Sequence, residues 1–332
     1  MKNNFIFNIA FLAGSMMAPA MSGCSGGTAR SVAPAAAETN KTEMVSVPQF
    51  SADSAMSNAA SQVAFGPRVP GSDAHRRCAD WIGERLQAAG ADTVVVQTAT
   101  LDDGTPMRNI LGRFDLGNKR RILLLAHYDT RPWADEDPEP ANRTRPIDGA
   151  NDGASGVAVL LEAARLIGSV DAPGCGVDIL LVDVEDSGNS GDDDSWARGS
   201  QYFADHMPYG ATEPLPEAAI LLDMVGGRDA RFCREMFSQQ YAAPVVDAVW
   251  RAAREAGHSD RFADAIGGAV NDDHLPFLRA GIPAIDIIET TNDQTGAFNP
   301  TWHTMADNLD NLDAATLKAV GETVITYIYN KK

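Results

Sequence analysis

Acidic and imidazole side chains follow three apolar runs of the chain, at the point where each run ends. In chain order these residues are His127 with Asp129, Glu185 with Asp186, and Asp223. Apolar runs of this kind are typical of buried parallel strands, and ligand crevices in open α/β sheets lie outside the carboxyl ends of the strands. The sequence therefore predicts one shared site built from these side chains.

Two further candidates lie elsewhere in the chain: Asp152 within the glycine-rich stretch 149–156, and His303. Zinc in a catalytic site takes about three protein ligands from His and carboxylate side chains and leaves one position open. Taken singly, Asp152 could cap the helix that follows it, and His303 could be a core histidine. The Glu185–Asp186 pair could belong to a solvated loop. Their joint occurrence at strand ends and turns favours a metal site.

Strands alternate with helices along the chain, which indicates the α/β class. We expect a single domain with a mostly parallel, mixed central sheet and helices on both faces. Ser72 can cap a helix that reaches Ala89 and stops at Gly90. The other predicted helices are 153–167, 197–206, 242–256, 272–280 and 313–329, and the predicted strands are 93–99, 107–114, 121–126, 177–184, 218–225 and 284–288.

The N-terminal stretch has the layout of a secretory signal: Lys2, an apolar run over 5–17, then small residues that end at Cys24. The run is shorter than the ~20 residues of a spanning helix. A Cys directly after small residues resembles the lipobox of bacterial lipoproteins, so we expect residues 1–23 to be a leader and Cys24 to be acylated. The alternative is an ordinary leader cleaved nearby. Residues 24–47 then form a tether and 48–332 the domain, exported to the periplasmic side of a bacterial membrane, with the outer membrane favoured.

The formal net charge is -18, and loss of Lys2 with the leader makes it -19. A chain this acidic is a poor partner for nucleic acid and anionic lipid. We therefore expect no nucleic-acid partner and membrane contact only through Cys24. The chain is also expected to be a monomer.

The remaining cysteines and several polar residues receive structural interpretations. Cys78, Cys175 and Cys233 are spaced too widely for a zinc ribbon or a dense disulfide framework, so buried free thiols are expected, with one bridge left open. His75, His206 and His258 are assigned to surfaces or helix caps. The acidic stretch 192–194 is interpreted as a solvated loop, with a weak calcium site as the alternative.

The order of these motifs resembles the zinc aminopeptidases of the co-catalytic metal type, which have His-x-Asp, Asn-Asp-Gly-Ala-Ser-Gly, an acidic pair and a late His. Within that superfamily the chain is more similar to the glutaminyl cyclases, above all their secreted bacterial branch. Segments 127–133, 272–277 and 302–308 carry this resemblance, which extends from Gly66 to Tyr329. Asp272, where aminopeptidases usually have Ser, and Trp302, directly before the late His, decide between the two.

The resemblance implies a role for each candidate residue. One zinc would be held by Asp152, Asp186 and His303, with Glu185 as the acid/base. Animal cyclases usually have Glu-Glu at the acidic pair, so Asp186 is one methylene shorter. The remaining implied roles are supporting carboxylates for Asp272 and Asp223, and walls of the substrate pocket for Trp302, Trp196 and Phe298.

The implied reaction is the attack of the α-amino group of an N-terminal Gln on its own γ-amide carbon, with loss of ammonia. Zinc would polarise the γ-carbonyl oxygen and Glu185 would transfer the proton. The expected partners are peptides and exported proteins that begin with Gln. A two-zinc aminopeptidase is the alternative, with His127 and Asp223 as ligands of the second metal and Asp129 orienting His127. A catalytically silent lipoprotein that binds peptides or glycans is disfavoured, because Glu185 and the three ligands are intact.

Overall fold

The computed structural model describes residues 47–169, 173–210 and 213–331. The expected leader, Cys24 and all of the tether except Val47 lie outside the described residues. Within these ranges, none of the helices combines the length and apolar character needed to cross a bilayer.

A six-stranded sheet occupies the middle of the fold, and a second sheet has two strands. In chain order the strands are β1 Thr93–Thr100, β2 Pro106–Phe114, β3 Arg121–His127, β4 Gly176–Val182, β5 Ala218–Leu222, β6 Phe232–Arg234, β7 Phe262–Ile266 and β8 Ala284–Ile287. The large sheet has the order β1-β2-β4-β3-β5-β8, and β6 pairs with β7. Strands β4, β3, β5 and β8 are parallel, while β1 and β2 run antiparallel to their neighbours. The mostly parallel, mixed sheet is confirmed.

Helices cover both faces of this sheet. They are α1 Ala52–Val63, α2 Asp73–Ala88, α3 Ala154–Ser169, α4 Arg198–Asp205, α5 Met236–Glu255, α6 His274–Arg279 and α7 Ala314–Tyr329. Side chains alternate along β3, so that Ile122 and Leu124 pack into the larger core with α2, α3, α5 and α7. Leu123 instead packs into the opposite core, where Phe203 of α4 and Phe277 of α6 lie. Both layers of helices are thus anchored through the same buried strand.

Strands β4 and β5 end earlier than predicted, at Val182 and Leu222. The cause is local, since Val184 and Met224 have left-handed backbones with φ of +53° and +48°. Apolar residues resume after Asp183 and Asp223, so the sequence predicts longer strands, but the chain has already turned. Glu185 directly follows the first of these turns, and Asp223 directly precedes the second.

Helix α5 starts earlier than predicted, and three elements were not predicted. The predicted start at Ala242 coincides with a kink, where φ is -135° and Pro244 follows. The kink interrupts the helical period of the apolar residues, so their spacing does not predict the first turns of α5. The small, polar residues of α1 and the short β6 and β7 carry a weak apolar pattern, and none of the three was expected.

Helix α2 confirms its predicted cap but corrects the assignment of His75. Ser72 Oγ accepts the backbone N–H of His75 at 3.1 Å. The His75 ring is buried, with Nε2 2.8 Å from Asp183 Oδ1, and it stacks on Tyr128. The surface or cap assignment is therefore wrong for this ring, because the first turn of α2 faces the end of the sheet. His206 is exposed, and His258 pairs with Glu322.

The three cysteines of the described ranges are all free, with Cys78 and Cys175 buried and Cys233 half-buried. The expectation of buried free thiols holds for the first two residues.

Candidate active site

The three side chains expected to bind one metal converge, although they are remote in the chain. Donor atoms of Asp152, Asp186 and His303 lie within 4.8 Å of one another, and all three residues are buried. His303 Nε2 is 3.1 Å from Asp186 Oδ1 and 3.7 Å from Asp152 Oδ2. One imidazole nitrogen therefore faces two carboxylates, which is a suitable donor set for a zinc ion.

A second donor group adjoins the first and shares Asp152 with it. His127 Nε2 lies 3.1 Å from Asp152 Oδ1 and 3.0 Å from Asp223 Oδ1. Asp129 Oδ1 lies 3.6 Å from the other nitrogen of His127. In a two-zinc aminopeptidase, His127, Asp152 and Asp223 would hold the second metal, and Asp129 would orient His127.

The electrostatics of the cluster fit a bound cation. Burial alone would lower the pKa of His303, but Asp186, Asp135 and Asp152 outweigh burial and raise this pKa to about 10. Asp186 Oδ2 is buried and has no hydrogen-bond partner among the described residues. A group of buried carboxylates with an unpaired oxygen attracts positive charge, and nitrogen and oxygen donors of this kind are those that zinc uses.

Glu185 and Asp186 follow the carboxyl end of β4, and the carboxylate of Asp129, which follows β3, holds them there. Asp129 accepts the backbone N–H groups of Glu185 and Asp186, each at 3.2 Å. Val184 just before them has φ of +53°, an unfavourable conformation for a β-branched residue. Strain of this sort persists where the surrounding structure over-determines it, often at functional sites. The two contacts from Asp129 supply that restraint.

The loop that carries Asp152 needs glycine on both sides. Gly149 and Gly153 have φ of +58° and +95°, and a Cβ at Gly153 would lie 2.6 Å from the carbonyl oxygen of Asp129. Arg68 is fully buried and donates to the carbonyl oxygens of Tyr128, Asp148 and Gly149. A single guanidinium thereby joins this loop to the end of β3.

Glu185 lies in surroundings that favour its neutral form. Burial raises its pKa well above the ordinary range, His127 opposes this rise, and Asp186 and Asp272 add to it. Burial and Asp272 raise the pKa of Asp223 to about 7 against the opposing effect of His127. Carboxyl groups with raised pKa values can both accept and donate protons near neutral pH.

Aromatic rings form one wall of the cleft. The Trp302 ring stacks on the His303 imidazole with centroids 3.9 Å apart, and Phe298 lies 4.9 Å from Trp302. Trp196 is nearly parallel to His303 at 6.3 Å. The cleft has a volume of about 270 Å³. All nine residues assigned to the site from the sequence line it: Asp152, Glu185, Asp186, Trp196, Asp223, Asp272, Phe298, Trp302 and His303.

Sequence reasoning missed two carboxylates that lie behind the proposed ligands. Asp135 Oδ1 is 3.2 Å from His303 Nδ1. Asp307 accepts the backbone N–H groups of Asn151 and Asp152 at 2.7 and 3.0 Å. The signal that could have found Asp307 is its position four residues after His303, whereas Asp135 is distant from every proposed ligand in the chain.

The α/β fold, with its His and carboxylate cluster at the carboxyl edge of the sheet, is that of the zinc-aminopeptidase-like class. Residues 109–328 match peptidase family M28, and the chain belongs to this family.

Solved structures and a sequence relative make the assignment more specific. The glutaminyl cyclase of Bacteroides thetaiotaomicron, solved with N-acetylhistamine, is 45% identical with a TM-score of 0.82, covering 86% of this chain and 100% of its own. A Zn-dependent exopeptidase from Parabacteroides distasonis is 47% identical with a TM-score of 0.81, covering 86% and 100%. The glutaminyl-peptide cyclotransferase of Bos taurus is 27% identical over 295 residues, which are 79% of this chain and 77% of that protein. The resemblance to the glutaminyl cyclases is confirmed.

Proposed function

We propose that the chain is a glutaminyl-peptide cyclotransferase, which converts N-terminal Gln to pyroglutamate and releases ammonia. The observation that carries the proposal is the meeting of Asp152, Asp186 and His303 in one buried cluster, inside a cleft that also contains Glu185 and Trp302. The names of the cyclase relatives support the same reaction.

In this proposal Asp152, Asp186 and His303 hold one zinc ion. When bound, zinc supplies a Lewis acid for the γ-carbonyl oxygen of the substrate. One imidazole nitrogen and two carboxylates are donors that zinc uses. A Zn-dependent exopeptidase among the structural relatives also supports zinc.

The residues of the chain carry the proton and hold the substrate. Trp302 and Phe298 pack against the flat amide and keep the Gln side chain folded over its own amino group. Glu185 accepts a proton from the attacking amine as the new bond from this nitrogen to the amide carbon forms. It then donates that proton to the amide nitrogen, which leaves as ammonia when its bond to the carbon breaks. The nearby carboxylates of Asp186 and Asp272 raise the pKa of Glu185, so that its ionised form has a higher affinity for the proton of the amine.

The second donor group favours one other candidate, a two-zinc aminopeptidase. His127, Asp152 and Asp223 have donor atoms within 4.8 Å of one another, so a second ion could be held there. Such an enzyme would release the N-terminal residue instead of cyclising it.

One incubation separates the two candidates. The purified chain is mixed with a peptide that begins with Gln, and ammonia and product mass are followed. The cyclotransferase releases ammonia and leaves a peptide lighter by that one molecule, whereas shortening by one residue refutes the proposal. Metal analysis is expected to give one zinc per chain, and N-acetylhistamine is expected to bind, as it does in the bacterial relative.

Glu185→Gln provides the matched control for the chemical step. The amide keeps the shape of the side chain but cannot transfer the proton, so turnover is expected to fall about 10²–10⁴-fold with zinc content unchanged. Unchanged turnover would refute the acid/base role.

We also propose that the chain acts on exported substrates outside the cytoplasm, as a monomer attached to a bacterial membrane by acylated Cys24. The leader-like residues 1–23 and the small residues before Cys24 support this location. Cys24→Ala is expected to move the protein from the membrane fraction to the soluble fraction. An unchanged membrane fraction would contradict the anchor.

A further inference from the structure

The nitrogen of His303 that faces away from the metal cluster contacts a carboxylate. Asp135 Oδ1 is 3.2 Å from His303 Nδ1, while Nε2 of the same ring faces Asp186 and Asp152. In an imidazole that binds a metal, a proton on one nitrogen leaves the lone pair of the other free for the ion. A carboxylate that accepts the proton of Nδ1 selects this tautomer and orients the ring.

A buried arginine connects Asp135 to a second proposed ligand. Arg131 binds Asp135 through Nε at 3.1 Å and Nη2 at 2.7 Å. Its Nη1 donates to the carbonyl oxygens of Asp186 at 3.1 Å and Gly188 at 2.8 Å. One guanidinium therefore links the acid behind His303 to the backbone of Asp186.

Two indole rings fix the plane of this guanidinium. The Arg131 guanidinium carbon is 4.7 Å from the centre of the Trp133 ring and 4.8 Å from that of Trp196. Bidentate pairing with a carboxylate and stacking between aromatic rings both depend on the planar shape of arginine. Lysine offers neither.

The segment that carries Asp135 is also held by its backbone. Backbone hydrogen bonds already hold it, from Glu136 N to the His303 carbonyl at 3.2 Å and from Ala134 N to the Arg145 carbonyl at 2.8 Å. These contacts fix the backbone on both sides of Asp135 and so hold its carboxylate beside the His303 ring.

We propose that Asp135 and Arg131 form a positioning pair, which presents Nε2 of His303 and the carboxylate of Asp186 to a single zinc ion. The inference rests on the proposed function, because that function supplies the zinc. Neither residue contacts the substrate or the reacting atoms in this scheme.

Zinc affinity tests the pair directly. The full chain is stripped of metal and titrated with zinc in competition with a chromophoric chelator at fixed pH. Loss of an outer-shell partner typically weakens metal binding about 10–100-fold. The loss of zinc affinity in Asp135→Ala is expected at the upper end of that range. Asp135→Asn keeps an acceptor oxygen and is expected near the lower end.

Glu136→Gln is the matched control, because it makes the same acid-to-amide change at an exposed neighbouring position. Its zinc affinity is expected to equal that of the unaltered chain. Thermal unfolding of the metal-free proteins tests for a purely structural effect. Asp135→Asn, which keeps an acceptor oxygen for Arg131, should unfold within a few degrees of the control. If an Asp135 variant fails to fold, Arg131→Lys takes its place, with an expected loss of about tenfold in affinity.

The outcomes separate this inference from the function on which it rests. If the unaltered chain binds zinc and cyclises Gln while the Asp135 and Arg131 variants bind zinc within twofold of it, the positioning pair is refuted and the function stands. If the variants lose affinity but the unaltered chain does not cyclise Gln, the function is refuted and the pair stands. A chain that binds no zinc refutes both.

Discussion

The carboxylate of Asp307 accepts a hydrogen bond from the backbone amide of Asp152, 155 positions earlier in the chain, with an O–N distance of 3.0 Å. Its other oxygen accepts the amide of Asn151 at 2.7 Å. Because His303 lies four residues before Asp307, one short segment supplies a proposed ligand and also fixes the loop of another. Two ligands from distant parts of the chain are thereby kept in register.

Replacement of Asp307 by alanine should destabilise the fold. Two buried backbone amides lose their acceptor, and each unmet donor costs about 1–3 kcal/mol, so the free energy of unfolding should fall by about 2–6 kcal/mol. Urea denaturation measures the change. Asp310→Ala, at an exposed position of the following turn, should change this free energy by less than about 0.5 kcal/mol. Equal effects of the two variants would contradict the role of Asp307.

Removal of the Trp302 ring should weaken substrate binding. The ring stacks on His303 and contacts Phe298, so Trp302→Ala opens the wall against which the substrate amide packs. We expect KM for a Gln-peptide to rise about tenfold and Trp302→Phe to recover most of the loss. Initial rates measure both, with Tyr241→Ala as a control that removes an exposed ring elsewhere. A KM that does not respond to loss of the indole would exclude it from the pocket.

The buried thiols should resist alkylation. Burial raises the pKa of Cys78 to about 12, although Arg68 opposes the rise, and it raises that of Cys175 to about 11. Both groups are therefore protonated at pH 8, and the thiolate is the reactive form. Among the three cysteines of the described ranges, half-buried Cys233 should react first with iodoacetamide, as followed by peptide mass mapping. All three should react alike in denaturant. Native Cys78 reacting as fast as Cys233 would be inconsistent with this structure.

Acid should destabilise the protein partly through Glu235. Burial opposes ionisation of this carboxyl, but contacts with His274 and Ser238 outweigh burial and lower its pKa from 4.5 to about 2. A carboxyl with a lowered pKa stabilises the fold above its unfolded pKa, and this contribution is lost as the pH falls from about 4.5 towards 2.

Glu235→Gln removes that titration. The variant should be less stable than the unaltered chain at pH 7, and it should lose less further stability between pH 5 and 2.5. Thermal unfolding across this pH range measures both effects. Glu84→Gln, at an exposed position on α2, serves as the control and should follow the unaltered chain. Parallel acid curves for Glu235→Gln and the unaltered chain would show that Glu235 does not contribute.

Much of the fold could be predicted because its signals are local. The apolar runs that end at His127 and near Glu185 are buried strands, and the Ser72 cap begins α2 as expected. The kinked start of α5 and the small residues of α1 leave no clean period, so both escaped prediction. The resemblance of the motifs to those of the glutaminyl cyclases was enough to choose the side chains that line the cleft.

Sequence alone thus determined which residues could do chemistry and at which strand ends they lie, because apolar periodicity and residue type are properties of neighbouring positions. Tertiary structure decided which side chains contact each other in and around the site, such as His75 with Asp183 and Asp135 with His303. These pairs join elements that are far apart in the chain, and a carboxylate can approach an imidazole to about 3 Å only where sheet order and helix packing bring their backbones together. The contacts between such side chains are consequences of packing, which no local pattern encodes.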